Sequence, residues 1–192
     1  TVASFLAVFD LGLTEVRIES SGTPSELPAT VATGATALQT SLTLAEAQEQ
    51  VSYAIPQPAY LPNRYELLRV TSYVYPDLPA WVPQPVFLEL IYGDGTGEEL
   101  ILRVYAIMLG EDANISRLNL QARSIRDVQD IDVNDRPGVL LQLDTDRTGV
   151  SWKEVVWEQD DLIMALSSAN LTEDELLRIA RSVHQTPKTT GE

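Results

Sequence analysis

A single histidine, His184, and no cysteine leave this chain little material for thiol, zinc or histidine-based acid–base chemistry. Carboxylates are in surplus: 28 Asp and Glu face 13 Lys and Arg, a net charge of −15. Asp144-Thr145-Asp146-Arg147-Thr148-Gly149 opens like a calcium loop. Its twelfth position, where a bidentate Glu is required, is Val155, so the segment reads as an acidic hairpin turn. Asp130, Asp132 and Asp135 alternate near a strand end and would serve a cation only weakly; a solvated strand end accounts for them better. Gly93-Asp94-Gly95-Thr96-Gly97 lacks the Lys-Ser/Thr and the helix that a phosphate loop needs. No Gly-x-Ser-x-Gly is present, and no spacing singles out a carboxylate pair for glycoside chemistry. The reading is a non-enzymatic domain with no catalytic residue, no metal and no cofactor.

The aromatic residues suggest binding instead. Tyr53, Tyr60, Tyr65, Tyr73, Tyr75 and Trp81 gather around proline-rich segments, as a groove for a peptide or lipid would require. Ordinary core and rim packing is the simpler account of most of them. Trp152 and Trp157 are five apart, so in a regular strand they face opposite sides and one belongs to the core. The net negative charge excludes a nucleic-acid partner, which needs clustered Lys and Arg, and disfavours an anionic lipid surface.

The elements that position these residues follow from the periodicity. Phe5, Ala7, Phe9, Leu11 and Leu13 share one face if the N-terminal segment is a strand; as a helix it is the outer end of a membrane span that is otherwise missing. Residues 20–41 are rich in Ser, Thr, Ala, Gly and Pro and read as a linker. Thr43 with Glu46 forms a capping box ahead of a short helix, about 44–52, and Pro56, Pro58 and Pro62 then forbid regular structure. Strands are predicted at 65–75, 86–92 and 99–109, the last two a hairpin around Gly93–Gly97. A fourth strand lies within 118–133 and a fifth at 139–143, and 151–158 with 162–166 form a closing hairpin. Thr172 and Glu175 make a second capping box, with Leu176, Ile179, Ala180 and Val183 as the apolar stripe of the last helix and His184 at its end.

These elements predict an α+β fold: a mainly antiparallel sheet of about six to seven strands, with a short N-terminal and a longer C-terminal helix packed on one face. Four regions follow: an apolar segment over 1–19, a linker over 20–42, the globular domain over 43–185 and a polar tail over 186–192.

The order of motifs carries a resemblance. Pro58-Ala59-Tyr60-Leu61-Pro62-Asn63-Arg64-Tyr65, the strand ending Leu90-Ile91-Tyr92, Val133-Asn134-Asp135-Arg136-Pro137-Gly138, Trp152 to Trp157, and the closing Leu171-Thr172-Glu173-Asp174-Glu175-Leu176-Leu177-Arg178-Ile179-Ala180 occur in sequence. Together, over about 43–184, they resemble a bacterial family of domains of unknown function. That family forms the outward-facing C-terminal domain of anti-sigma-factor-like membrane proteins and occurs in lipoproteins. It often carries glycine before the second tyrosine of Tyr-Leu-Pro-x-x-Tyr, where this chain has Arg64. The resemblance implies an extracytoplasmic sensing or protein-interaction domain, tethered to a membrane through its N-terminal segment and without catalysis. The alternative is a structural subunit of an extracellular or membrane-bound assembly that uses the N-terminal segment for strand exchange. Both readings expect a protein partner or a second copy of the chain, and place the interaction on Phe5, Phe9, Leu11, Tyr60 and Trp81.

Overall fold

The computed structural model describes residues 6–10, 14–19, 38–62, 64–74, 87–106, 116–120, 125–143 and 150–185. In chain order the elements are β1 (Leu6–Asp10), β2 (Thr14–Glu19), β3 (Leu38–Leu42), α1 (Leu44–Gln50), β4 (Pro56–Pro58), β5 (Glu66–Val74), β6 (Phe87–Gly93) and β7 (Glu99–Ala106), followed by β8 (Ser116–Leu120), β9 (Ile125–Asp132), β10 (Pro137–Leu143), β11 (Lys153–Gln159), β12 (Leu162–Ser168), α2 (Glu173–Ser182) and β13 (Val183–Gln185). Residues 20–37, the tail 186–192, the Asp144–Gly149 turn, Tyr75, Phe5, Leu11 and Trp81 lie outside the described residues.

Eight strands form the main sheet in the order β3-β5-β6-β7-β12-β11-β10-β9, antiparallel throughout. With two helices beside it, this is an α+β fold. The count exceeds the six or seven strands predicted, because β3 comes from the end of the stretch read as linker. Leu38–Leu42 is polar between its two leucines and exposed along most of its length, which suits an edge strand that pairs only with β5. The strand placed within 118–133 is two strands, β8 and β9, that join different sheets. β1 and β2 form an antiparallel hairpin, and β8 adds to β2 in parallel.

The prolines after α1 do not exclude a strand. Pro56–Pro58 pairs with β13 in a two-stranded ribbon, where only alternate residues face the partner and Gln57 sits opposite His184. β13 also corrects the end of α2. The helix stops at Ser182; Val183 is extended, and its N–H is donated to the Ala180 carbonyl. Val183 is still buried, but His184 is an exposed strand residue rather than a helix-end charge. Both helices begin at capping boxes, Thr43 with Glu46 and Thr172 with Glu175.

Alternation sorts the main sheet into two faces. On the first, Leu88, Leu90, Leu102, Val155, Trp157, Met164 and Leu166 belong to one buried cluster that includes Ala47 of α1 and Leu176, Ile179 and Ala180 of α2. Gly138 lies opposite Trp157, and a Cβ there would stand 2.9 Å from the Val156 carbonyl oxygen, so the close approach requires glycine. Trp157 is the core tryptophan; Trp152, just before β11, is half-buried.

The second face is buried as well, with Ile91, Val139, Leu141, Val156, Ile163 and Ala165 at most 3% exposed. All of β12 is buried on both sides, as suits a central strand.

Three turns put non-glycine residues in the left-handed region. Asn134-Asp135 (φ 55° and 64°) and Asp160-Asp161 (φ 54° and 61°) are two-residue hairpin loops whose twist matches the strands they join. Arg64 has φ 77°, a conformation that glycine adopts without strain.

Candidate functional site

The register places chemistry on the second face. Hydrogen-bonded neighbours form transverse rows, and one row reads Thr71, Glu89, Arg103, Ala165, Val156 across β5, β6, β7, β12 and β11. The adjacent row on one side reads Tyr73, Phe87, Tyr105, Ile163, Glu158; that on the other reads Arg69, Ile91, Ile101, Ser167, Glu154. Three acids, two bases and three aromatic rings are thereby gathered from four strands.

Glu89 and Arg103 face each other directly across the β6–β7 hairpin, and the Arg103 Nε–H is donated to Glu89 Oε2 at 2.9 Å. Arg103 also reaches past β12 to Glu154, with Nη1 3.6 Å from Oε2. Its neighbour in the row on β12 is Ala165, and a larger side chain there would stand in the guanidinium's way. The carboxylate side chains are each 12% exposed and that of Arg103 28%, so the charges are largely removed from water. Tyr73 donates its hydroxyl to Glu89 Oε1 at 3.2 Å. Its ring stacks on Phe87 with centroids 4.2 Å apart, and Phe87 meets Tyr105 at 5.0 Å.

The electrostatics follow from burial. Desolvation raises the Glu154 carboxyl above its ordinary value, and Arg103 opposes the shift. Burial also works against the Arg103 charge, but Tyr105, Glu154 and Glu89 together hold it above its ordinary value. The Tyr73 hydroxyl is raised, by burial first and then by the Glu89 charge. Chemically the arrangement holds charge in place: both carboxylates face the one guanidinium, Glu89 hydrogen-bonded to it and Glu154 at 3.6 Å.

Of the interaction residues named from sequence, Phe9 and Tyr60 are among the described residues. Phe9 is in β1, opposite Val16. Tyr60 flanks α2: its ring lies under the Arg178 guanidinium, 3.8 Å from the centroid, and its N–H is donated to Ser182 Oγ at 3.1 Å. These contacts pin the loop before β5 to the helix. Among the described residues no group of three acids or histidines could hold a metal, so Asp130, Asp132 and Asp135 form no such site. Asp132 instead ties down its own turn, accepting from the Asp135 N–H at 3.0 Å. An open pocket of about 240 Å³ lies between the two left-handed turns, where Arg136 meets Asp160 at 3.2 Å.

The sequence reading missed Glu89, Arg103 and Glu154, although it contained a signal. Glu89 and Arg103 are each a lone charge within an apolar run, and they lie at equal distances from Thr96 in the turn between their strands; Glu154, beside Lys153, carries no such signal.

A family model for a domain of unknown function, DUF4367, matches residues 83–183, a little over half of the chain. The chain belongs to that family. No curated protein and no solved structure matches it. The DUF4367 match runs from the approach to β6 to the first residue of β13, so Glu89, Arg103 and Glu154 all lie within it while Tyr73 lies before it.

Proposed function

We propose that this DUF4367 protein is a non-catalytic sensing or interaction domain that works outside the cytoplasm, tethered through its N-terminal segment as in anti-sigma-factor-like membrane proteins. The observation that carries the reading is the state of the buried polar groups. Glu89 and Glu154 are both engaged by Arg103, which is how a fold holds charge rather than how an active site presents an acid or base. In this reading α1 and α2 both close the first face of the sheet, and the row of Tyr73, Phe87 and Tyr105 lies at one end of the second. The test is protease access in the native cells. The domain is expected to be cleaved by protease added to intact cells or spheroplasts and to sediment with membranes; protection until the cells are lysed would refute an extracytoplasmic site.

A second reading, a structural subunit of an assembly, is favoured by one observation: residues 6–10 and 14–19 are strands, and β1 is an edge of its sheet. The register pairs Ala7 with Ile18 and Phe9 with Val16, and Val16 and Ile18 in turn with Leu118 and Leu120. This reading expects light scattering to detect oligomers that Phe9→Ser abolishes, and a persistent monomer counts against it.

A further inference from the structure

The ion cluster on the second face is unbalanced. It places two carboxylates on one guanidinium, and the partners are unequally held. Glu89 receives the Arg103 Nε–H at 2.9 Å and the Tyr73 hydroxyl at 3.2 Å. Among the described residues, Glu154 has only the longer approach of Nη1 at 3.6 Å, outside direct hydrogen-bond range for a strong charge-assisted pair. Its cross-strand neighbours are Leu141 on β10 and Ser167 on β12. Among the described residues, the titratable and charged groups that share this face with Glu154 include Glu89 on β6, Arg103 and Tyr105 on β7, Tyr73 and Arg69 on β5, Glu158 on β11 and Asp130 on β9. Of the charges on the described residues, that of Arg103 opposes the burial of Glu154.

We propose that the Glu89–Arg103–Glu154 cluster is a proton-operated latch, in which Glu154 takes up the proton as the medium acidifies and releases Arg103 to Glu89 alone. The proton comes from water, and the carboxylate becomes a neutral acid that needs no cation. At neutral pH the closed latch joins β7 to β11 across β12. On acidification the guanidinium keeps its bonded partner and loses the distant one. The inference goes beyond the proposed function and does not depend on any partner.

Burial supports the direction, because it favours the neutral form of Glu154. The folded value stands above the unfolded one, so between the two the folded state binds a proton that the unfolded state does not. Stability attributable to this group therefore falls as pH rises through that window and is greater below it.

The test is an NMR titration of the whole chain, following the glutamate side-chain carboxyl carbons and the Arg103 Nε–H. The expected result is a Glu154 midpoint above the ordinary glutamate value, with the Arg103 resonance shifting at the same midpoint. In Glu154→Gln that Arg103 transition disappears while the Glu89 contact persists. A Glu154 midpoint at or below the ordinary value, or an Arg103 resonance that does not follow it, would overturn the latch. The wild-type titration decides this even if the variant does not fold.

Discussion

Replacing Arg103 by methionine tests the reading of the second face most directly. The substitution keeps most of the volume and the unbranched apolar stem but removes the charge that Glu89 and Glu154 share. Breaking a buried ion group by removing one partner costs roughly 3–5 kcal/mol, because the remaining charges are left uncompensated. The Arg103 side chain is 28% exposed and the carboxylates 12%, so water recovers part of the loss and the low end, about 3 kcal/mol, applies. The loss should also depend on pH. Without the guanidinium, nothing opposes the upward shift of Glu154, and its folded value moves further above the unfolded one. The deficit is therefore greatest at neutral pH and narrows as pH falls towards that value. Urea denaturation at pH 7 and pH 5 measures both quantities, and Glu154→Gln added to Arg103→Met should recover part of the loss at pH 7. A cost below about 1 kcal/mol at pH 7, the range of exposed pairs, would refute the argument, as would a deficit that is the same at both pH values.

Three further outcomes follow from other parts of the fold. Tyr92 is 2% exposed and its hydroxyl has no hydrogen-bond partner among the described residues, so Tyr92→Phe is expected to raise stability by about 1 kcal/mol in the same urea assay. Asp161, second in its hairpin loop at φ 61°, pays left-handed strain that glycine avoids; Asp161→Gly should gain about 0.5–1 kcal/mol after the greater freedom of the unfolded glycine is counted, read as a higher melting temperature. Thr172→Ala removes the cap whose Oγ1 accepts the Glu175 N–H, and should cost about 1 kcal/mol with fraying of α2 detected by amide exchange.

Local chemistry made part of this fold legible. The two capping boxes, the glycine-rich turn between β6 and β7 and the Asp160-Asp161 hairpin each depend on residues within a few positions of one another. What was not legible depends on distant partners. Leu38–Leu42 has no strand signature of its own and becomes one by pairing with β5. Pro56–Pro58 is a strand only because Val183–Gln185 runs beside it. The periodicity of residues 118–133 does not show that β8 and β9 enter different sheets. The candidate site divides in the same way. Glu89 with Arg103 follows from hairpin symmetry, whereas Glu154 joins them only once β12 is known to lie between β7 and β11. The aromatic clustering named Tyr60 and Tyr73 but not Phe87 and Tyr105, which continue the stack from Tyr73 across three strands.

The strand order bears on how the chain reaches this state. β5, β6 and β7 follow one another from one edge, and β9 to β12 follow from the other, each succession pairing neighbours in sequence. The two runs meet only where β7 lies against β12, with Leu100 opposite Ser168 and Ala106 opposite Leu162. Hairpins close in microseconds, but this joint must gather residues more than fifty positions apart and bear that loop entropy before any of its contacts are repaid. Joining the two halves is therefore the expected slow step of folding. A nascent chain would hold the first half with β7 as an open edge until synthesis has passed Ser168. Arg103 waits on that edge with Glu89 already opposite, and meets Glu154 only when the halves join.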